Sequence, residues 1–270
     1  MNKIIVQIYE VQTPDEAESL MMVGVDHIGS VVVSKKKWKI PSIKETVRAI
    51  QSGNAKSSLI PLFNDRDAVF RTIEYYQPDV VHFCEDLIVS HESFQTCENL
   101  LKLQAEIQKR FSEVKIMRSI PISRPGLSNR VPTIELARMF EPFSDFFLTD
   151  TLLLKPSGPG CKHQPVKGFV GITGQTCDWQ MASMLVKSSN IPVILAGGIS
   201  PENVFEGIMQ VCPAGVDSCT QTNATDPEGR TIRFKKDLNK VKRFVEAVRA
   251  AEQKLKNNRK GENKIHVYQQ

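Results

Sequence analysis

Along the chain, short runs of β-branched and other apolar residues alternate with segments whose apolar positions recur at helical spacing. The runs fall at Ile4 to Tyr9, His27 to Val33, Ser58 to Phe63, Val80 to Cys84, Val114 to Ser119, Phe146 to Thr149, Pro192 to Ala196 and Gly215 to Cys219. They predict eight strands. Between them Ser42 precedes the helical series Ile43, Val47 and Ile50, and Ser200 precedes Pro201 as an expected helix cap. Leu100, Leu103, Ile107 and Phe111 stripe one helix, and Val241, Phe244, Val245 and Val248 stripe the last. Strands alternating with helices imply a parallel sheet, which can close into a (β/α)8 barrel or open into a doubly wound sheet; periodicity leaves both possible.

Irregular stretches are expected at Ile120 to Arg130 and Leu152 to Gly171, and in a barrel they would overhang the active-site face. The apolar period ends at Lys256, so residues 1–256 read as one domain and 257–270 as a flexible tail. A chain of 270 residues suits one barrel. The run Ile4-Ile5-Val6 is too short for a secretory core, no apolar stretch is long enough to span a bilayer, and six cysteines without a CxxC pair give no disulfide framework. The expected setting is cytoplasmic, with no membrane partner.

The charge is uneven. Lys235 to Lys264 hold eleven Lys or Arg against four Asp or Glu, so the net charge of +5 belongs to the C-terminus. Aromatic residues for stacking are sparse there, which favours a solvated helix face over a nucleic-acid arm.

The sharpest local signal is Leu195-Ala196-Gly197-Gly198-Ile199-Ser200-Pro201-Glu202-Asn203, a strand, a glycine pair and a helix start. Glycines let a backbone approach an anion, and barrels often place a phosphate site after their seventh and eighth strands. A tight turn would need one glycine rather than two. On this reading Gly198→Asp abolishes phosphate-ester binding without unfolding the barrel. On the fourth strand, alternation puts His82 and Cys84 on one side. Cys161 and His163 form a Cys-x-His pair, but without further ligands at metal spacing they make no zinc site, and no metal or cofactor is expected.

The LAGGISPENV segment, followed by Gly215-Val216-Asp217-Ser218, resembles the last third of phosphoribosylanthranilate isomerase, a (β/α)8 barrel of tryptophan biosynthesis. Gly171 to Trp179 is similar to the family's GGTGxxFDW, Gln7 to Gln12 to its KICGIT, and Val81-His82-Phe83-Cys84 to its VQLH. The resemblance implies a TIM barrel and an Amadori-type aldose-ketose isomerisation of a phosphorylated small molecule. An aspartic acid opens the sugar ring and a cysteine removes the C2′ proton. The acid maps onto Asp150, but Tyr9 stands at the cysteine position, and a phenol with a reference pKa of about 10 is a poor base. His82 is the first candidate replacement. Gly197, Gly198, Gly174 and Thr220 are implied at the phosphate, and Lys37 falls near the family's substrate-facing arginine. Two readings follow: a diverged isomerase, or a non-catalytic binding protein on the same scaffold. The oligomeric state is left open.

Overall fold

The computed structural model describes residues 3–88, 93–154 and 165–267. Eight parallel strands, β1 (Ile5–Ile8), β2 (His27–Val32), β3 (Lys56–Pro61), β4 (Val80–Phe83), β5 (Lys115–Ser123), β6 (Phe146–Leu152), β7 (Val193–Leu195) and β8 (Gly215–Ser218), form a closed barrel. Closure is made by β8 against β1, from Ile5 opposite Gly215 to Ile8 opposite Ser218. The fold is a (β/α)8 TIM barrel.

Seven helices follow the strands: α1 (Pro14–Met22), α2 (Pro41–Ser52), α3 (Arg66–Tyr76), α4 (Ser93–Arg110), α5 (Thr133–Phe140), α6 (Trp179–Ser188) and α7 (Val204–Val211). An eighth, α8, runs Leu238–Val267 and closes the ring. Their starts are chemically marked. Asp65 accepts from the N–H of Ala68 at α3, and Asp178 accepts from those of Gln180 and Met181 at α6. The two expected serine caps fare differently. Ser42 lies inside α2, which begins with Pro41, and α7 begins at Val204 rather than Pro201. Asn203 binds back to the loop instead: its Oδ1 accepts from the Ser200 N–H and its amide donates to the Gly198 carbonyl. Ser200 still caps this turn, its Oγ accepting from the Glu202 N–H at 3.2 Å and its carbonyl from the Val204 N–H at 3.0 Å.

The even-numbered positions of β1, Val6 and Ile8, join the large apolar cluster that also holds Leu20, Val204, Val241 and Phe244 from the surrounding helices. Inside the barrel, Tyr9 packs with Val80, Met117, Leu148, Ile194 and Ala196, so the lumen is a filled core. A repeated polar device braces the N-terminal face. Asp26, Asp79 and Asp145, each just before an even-numbered strand, accept from the backbone N–H of Val6, Ser57 and Ile116 on the strand before. Each is also paired with a lysine, Lys3, Lys56 or Lys115. That face is thereby committed to stability.

Two segments depart from expectation. Residues Asn223–Thr225 (β9) and Thr231–Lys236 (β10) form an antiparallel hairpin between β8 and α8. The last helix also continues past Lys256, where the apolar period stops, as far as Val267. The period tracks contact with the barrel, which ends near Ala251 and Glu252, rather than helicity itself. Among the described residues, no helix is long and apolar enough to cross a membrane.

Candidate active site

At the end of β1, Tyr9 turns into the barrel and is only 3% exposed. Its hydroxyl is hydrogen-bonded to Ser58 Oγ at 2.5 Å and to His82 Nδ1 at 2.9 Å, while His82 Nε2 meets Ser119 Oγ at 2.8 Å. These contacts link β1, β3, β4 and β5 through one buried polar chain. Room for the ring comes from β2, because a Cβ at Gly29 would lie 2.0 Å from Tyr9 Cδ1. Burial pushes the Tyr9 phenol well above its ordinary value and pulls the His82 imidazole down to about 3. Both groups are therefore neutral at physiological pH, and both His82 nitrogens are occupied. The chain Ser58, Tyr9, His82 and Ser119 reads as a satisfied interior network.

Two carboxylates face the open end instead. Asp150 on β6 and Asp217 on β8 line both of two adjoining cavities, one somewhat larger than the other. Asp150 Oδ1 accepts from the N–H of Thr151 at 2.8 Å, and Asp217 Oδ1 accepts from the Gln7 amide at 3.2 Å. The second oxygen of each has no hydrogen-bond partner among the described residues. Burial is the main cause that pushes each carboxyl up to about 7, with the charge of Asp150 adding to the rise at Asp217. Gly171, at φ +103°, makes way for Asp150: a Cβ there would lie 2.2 Å from its Oδ2.

The larger cavity is walled by Val31, Ile60, Leu62, Phe169 and Val170, with Tyr9, His82 and Cys84 also on its lining. The smaller is made largely of backbone, from Thr173 and Gly174, Gly197 to Ile199, and Ser218 to Gln221. Gly197 and Gly198 have φ of +89° and +64°, and their N–H groups have no partner among the described residues. Gln221 ties the walls together by donating to the Gly174 carbonyl at 2.9 Å. Unused amides on a concave backbone suit an anion.

The glycine pair also has a packing role. A Cβ on Gly197 would lie 2.5 Å from Thr151 Oγ1, and one on Gly198 would lie 2.4 Å from the Gln175 carbonyl carbon. Gly198→Asp is thus not the loss of binding without structural cost expected from the sequence, since even a methyl group collides with backbone. We expect Gly198→Ala to lower unfolding free energy by about 1–3 kcal/mol without any ligand present, through left-handed strain and displacement of Gln175 and Thr176. Chemical denaturation of the apoprotein checks this, and an unchanged midpoint would show the loop yields freely.

Asp150, Gly174, Gly197, Gly198 and Thr220 come together around the smaller cavity, and Asp150, Tyr9 and His82 around the larger. Lys37 is exposed on the loop after β2 and lines neither. Cys161 and His163 lie outside the described residues, and no group of three or more metal-ligating side chains occurs among the described ones. Asp217 and Glu10 also line this region and were not singled out from the sequence. Alternation along β8 places Asp217 inward, which is the signal that could have found it. Glu10 adopts φ +66° at 1% exposure, and Arg233 and Asn223 of the hairpin segment donate to its carboxylate. Nothing in the local sequence foretells that contact across more than two hundred residues.

Comparison with known proteins agrees with this architecture. The family model for N-(5′-phosphoribosyl)anthranilate isomerase matches residues 166–247. The chain is 26% identical over 255 residues to N-(5′-phosphoribosyl)anthranilate isomerase 1 of Methanosarcina mazei, covering 88% of this chain and 92% of that one. Among solved structures, phosphoribosyl anthranilate isomerase of Thermotoga maritima superposes with a TM-score of 0.63 at 20% identity, over 92% of this chain and 99% of that one. Another structure of such an isomerase, with a TM-score of 0.60, 20% identity and the same coverage, holds reduced 1-(o-carboxyphenylamino)-1-deoxyribulose 5-phosphate. The superpositions establish the fold, while the relatives and the matched C-terminal segment show a similarity in sequence that runs along most of the chain. Along most of its length the chain is similar to curated phosphoribosylanthranilate isomerases, and its C-terminal third matches that family's model.

Proposed function

We propose that this barrel catalyses an Amadori-type isomerisation of a phosphorylated amino sugar, with N-(5′-phosphoribosyl)anthranilate as the first substrate to test. The observation that carries the reading is Asp150, whose second carboxyl oxygen, unpartnered among the described residues, lies on the same cavity lining as the backbone cradle of Gly197 and Gly198. A phosphate held by the cradle would leave the sugar ring over the carboxyl groups. A carboxyl raised to about 7 is half protonated near neutrality, which suits a group that must give a proton to the ring oxygen. The apolar walls of the larger cavity fit a planar aromatic substituent on the sugar nitrogen. Thr220 and Gly174 complete the phosphate wall in this reading, and Lys37 would reach the ligand only through movement of the loop after β2.

Tyr9 favours a second reading, a binding protein without turnover, because a neutral buried phenol stands at the position of the family's cysteine. One experiment separates them. Purified protein is given N-(5′-phosphoribosyl)anthranilate generated in situ, and formation of the aminoketose phosphate is followed. Binding of the reduced aminoketose phosphate analogue is measured by calorimetry in parallel. Turnover supports the isomerase; analogue binding without turnover supports the second reading; neither removes the cradle from both.

A further inference from the structure

We infer that Asp217 is the catalytic base of this barrel, working with Asp150 as one acid-base pair in place of the absent cysteine; the inference rests on the isomerase reading above. Besides Asp150, five groups near Tyr9 could take a proton, and their hydrogen bonds and burial separate them. His82 has both ring nitrogens engaged by Tyr9 and Ser119. Glu10 is held by Arg233 and Asn223. The thiols of Cys84 and Cys219, both on the cavity lining, are pushed well above their ordinary range, first of all by burial. Asp217 keeps one oxygen fixed by the Gln7 amide and the other unpartnered among the described residues, and it lines both cavities with Asp150.

The arrangement matches what the chemistry needs. A neutral amide faces Asp217, so no cation in that contact quenches its basicity. Burial and the charge of Asp150 weaken the preference of Asp217 for ionisation, giving a base near neutrality rather than an inert carboxylate. Two carboxyls that influence each other titrate as a pair, so a state with Asp150 protonated and Asp217 ionised is populated around pH 7.

In the proposed sequence Asp150 gives its proton to the ring oxygen as the C1′–O bond breaks, and the nitrogen lone pair forms a C1′–N double bond. The Asp217 carboxylate then takes the C2′ proton. The C–H electron pair becomes the C1′–C2′ double bond, and the C–N π pair returns to nitrogen. Finally Asp150 takes the proton of the C2′ hydroxyl while Asp217 returns its proton to C1′. The aminoketose is released with both carboxyls in their starting states, and no redox partner is required.

The test uses full-length wild type and the variants Asp217→Asn and Asp217→Ala, with N-(5′-phosphoribosyl)anthranilate as substrate and folding checked by circular dichroism. We expect kcat to fall at least about 100-fold with KM changed less than about threefold. Added formate should restore at least about tenfold of the loss in Asp217→Ala, because the small acid can occupy the vacated carboxylate position, and none in Asp150→Asn. Either folded Asp217 variant decides the matter. An asparagine variant keeping more than a tenth of wild-type kcat, or a folded alanine variant that formate does not rescue, overturns the role of Asp217 and leaves the isomerase reading standing. A wild type without turnover overturns both.

Discussion

Replacing Asp150 by asparagine should cut turnover at least about 1,000-fold and at the same time make the protein more stable above pH 7. On the proposed mechanism the first effect follows from removing the proton donor to the ring oxygen, near the upper end of the about 10²–10⁴ that a general acid contributes, while the side-chain shape is kept. The second follows from the direction of the titration. Burial raises the Asp150 carboxyl from its ordinary value of 3.8 to about 7 in the folded protein. A raised carboxyl favours folding while it is protonated in both states. That advantage is present below about pH 4 and is lost as pH rises through 7. Wild type therefore loses stability across that window, and the asparagine variant, which cannot ionise, is spared this loss. We expect the variant to gain about 1–3 kcal/mol over wild type at pH 8 and little at pH 5. Thermal unfolding of both proteins from pH 5 to 8 measures it. If the two curves run parallel, Asp150 is not the buried group that titrates there. Removing the charge of Asp150 should also bring Asp217 down towards the ordinary range, because that charge is one of the causes that raise it.

That trade between stability and activity explains where the sequence could be read and where it could not. The strands of the barrel lie on both sides against packed groups, so their apolar runs stand out, and all eight were legible to within a few residues. The main error in extent is instructive. Pro121 and the Pro and Gly residues after it suggest that the fifth strand breaks at Ile120, yet β5 continues to Ser123 against β6, with Pro121 opposite Asp150. Its pairing with β4 has already ended at Arg118, so the N–H that proline lacks is not needed on that side. The extra length carries both β5 and β6 up to the site.

Of the cavity lining, the glycine pair and Asp150 were legible because short motifs place them. The meaning of those motifs changed with the coordinates, since Gly197 and Gly198 are demanded by Thr151 and Gln175 as much as by any ligand. The partners of a buried group were not legible. His82 looks like a base in the sequence, and only the hydroxyls of Tyr9 and Ser119 on either side of its ring show it to be a member of an interior network. Asp217 carried the opposite error, since its side chain draws attention only once Gln7, rather than a cation, is seen to face it.

Tyr9→Cys, the change that restores the family residue, should destabilise the barrel by about 3–5 kcal/mol, and adding Gly29→Ala should recover part of that loss. The tyrosine ring is buried, packs beside His82 with ring centroids 5.2 Å apart, and holds Ser58 and His82 by its hydroxyl. Truncating it leaves a void and unpairs two buried polar groups. A loss of that size is a large share of the about 5–15 kcal/mol that holds a typical domain together. In wild type, Gly29→Ala is also costly, by about 3 kcal/mol, because its methyl group would sit 2.0 Å from the Tyr9 ring. With the ring gone, the same methyl group fills part of the space it left. The two costs therefore cannot add, and a double-mutant cycle by chemical denaturation should give a coupling of at least about 2 kcal/mol in the stabilising direction. Additive losses would mean that the ring and Gly29 do not compete for one volume. The coupling also decides how restored activity must be sought. A cysteine placed in a collapsed barrel tests nothing about its chemistry, whereas the double variant presents the thiol at the end of β1 with its surroundings repacked. Turnover that exceeds wild type in that background would locate the divergence of this chain in Tyr9 and Gly29 together, as one linked exchange of a base for a packed ring.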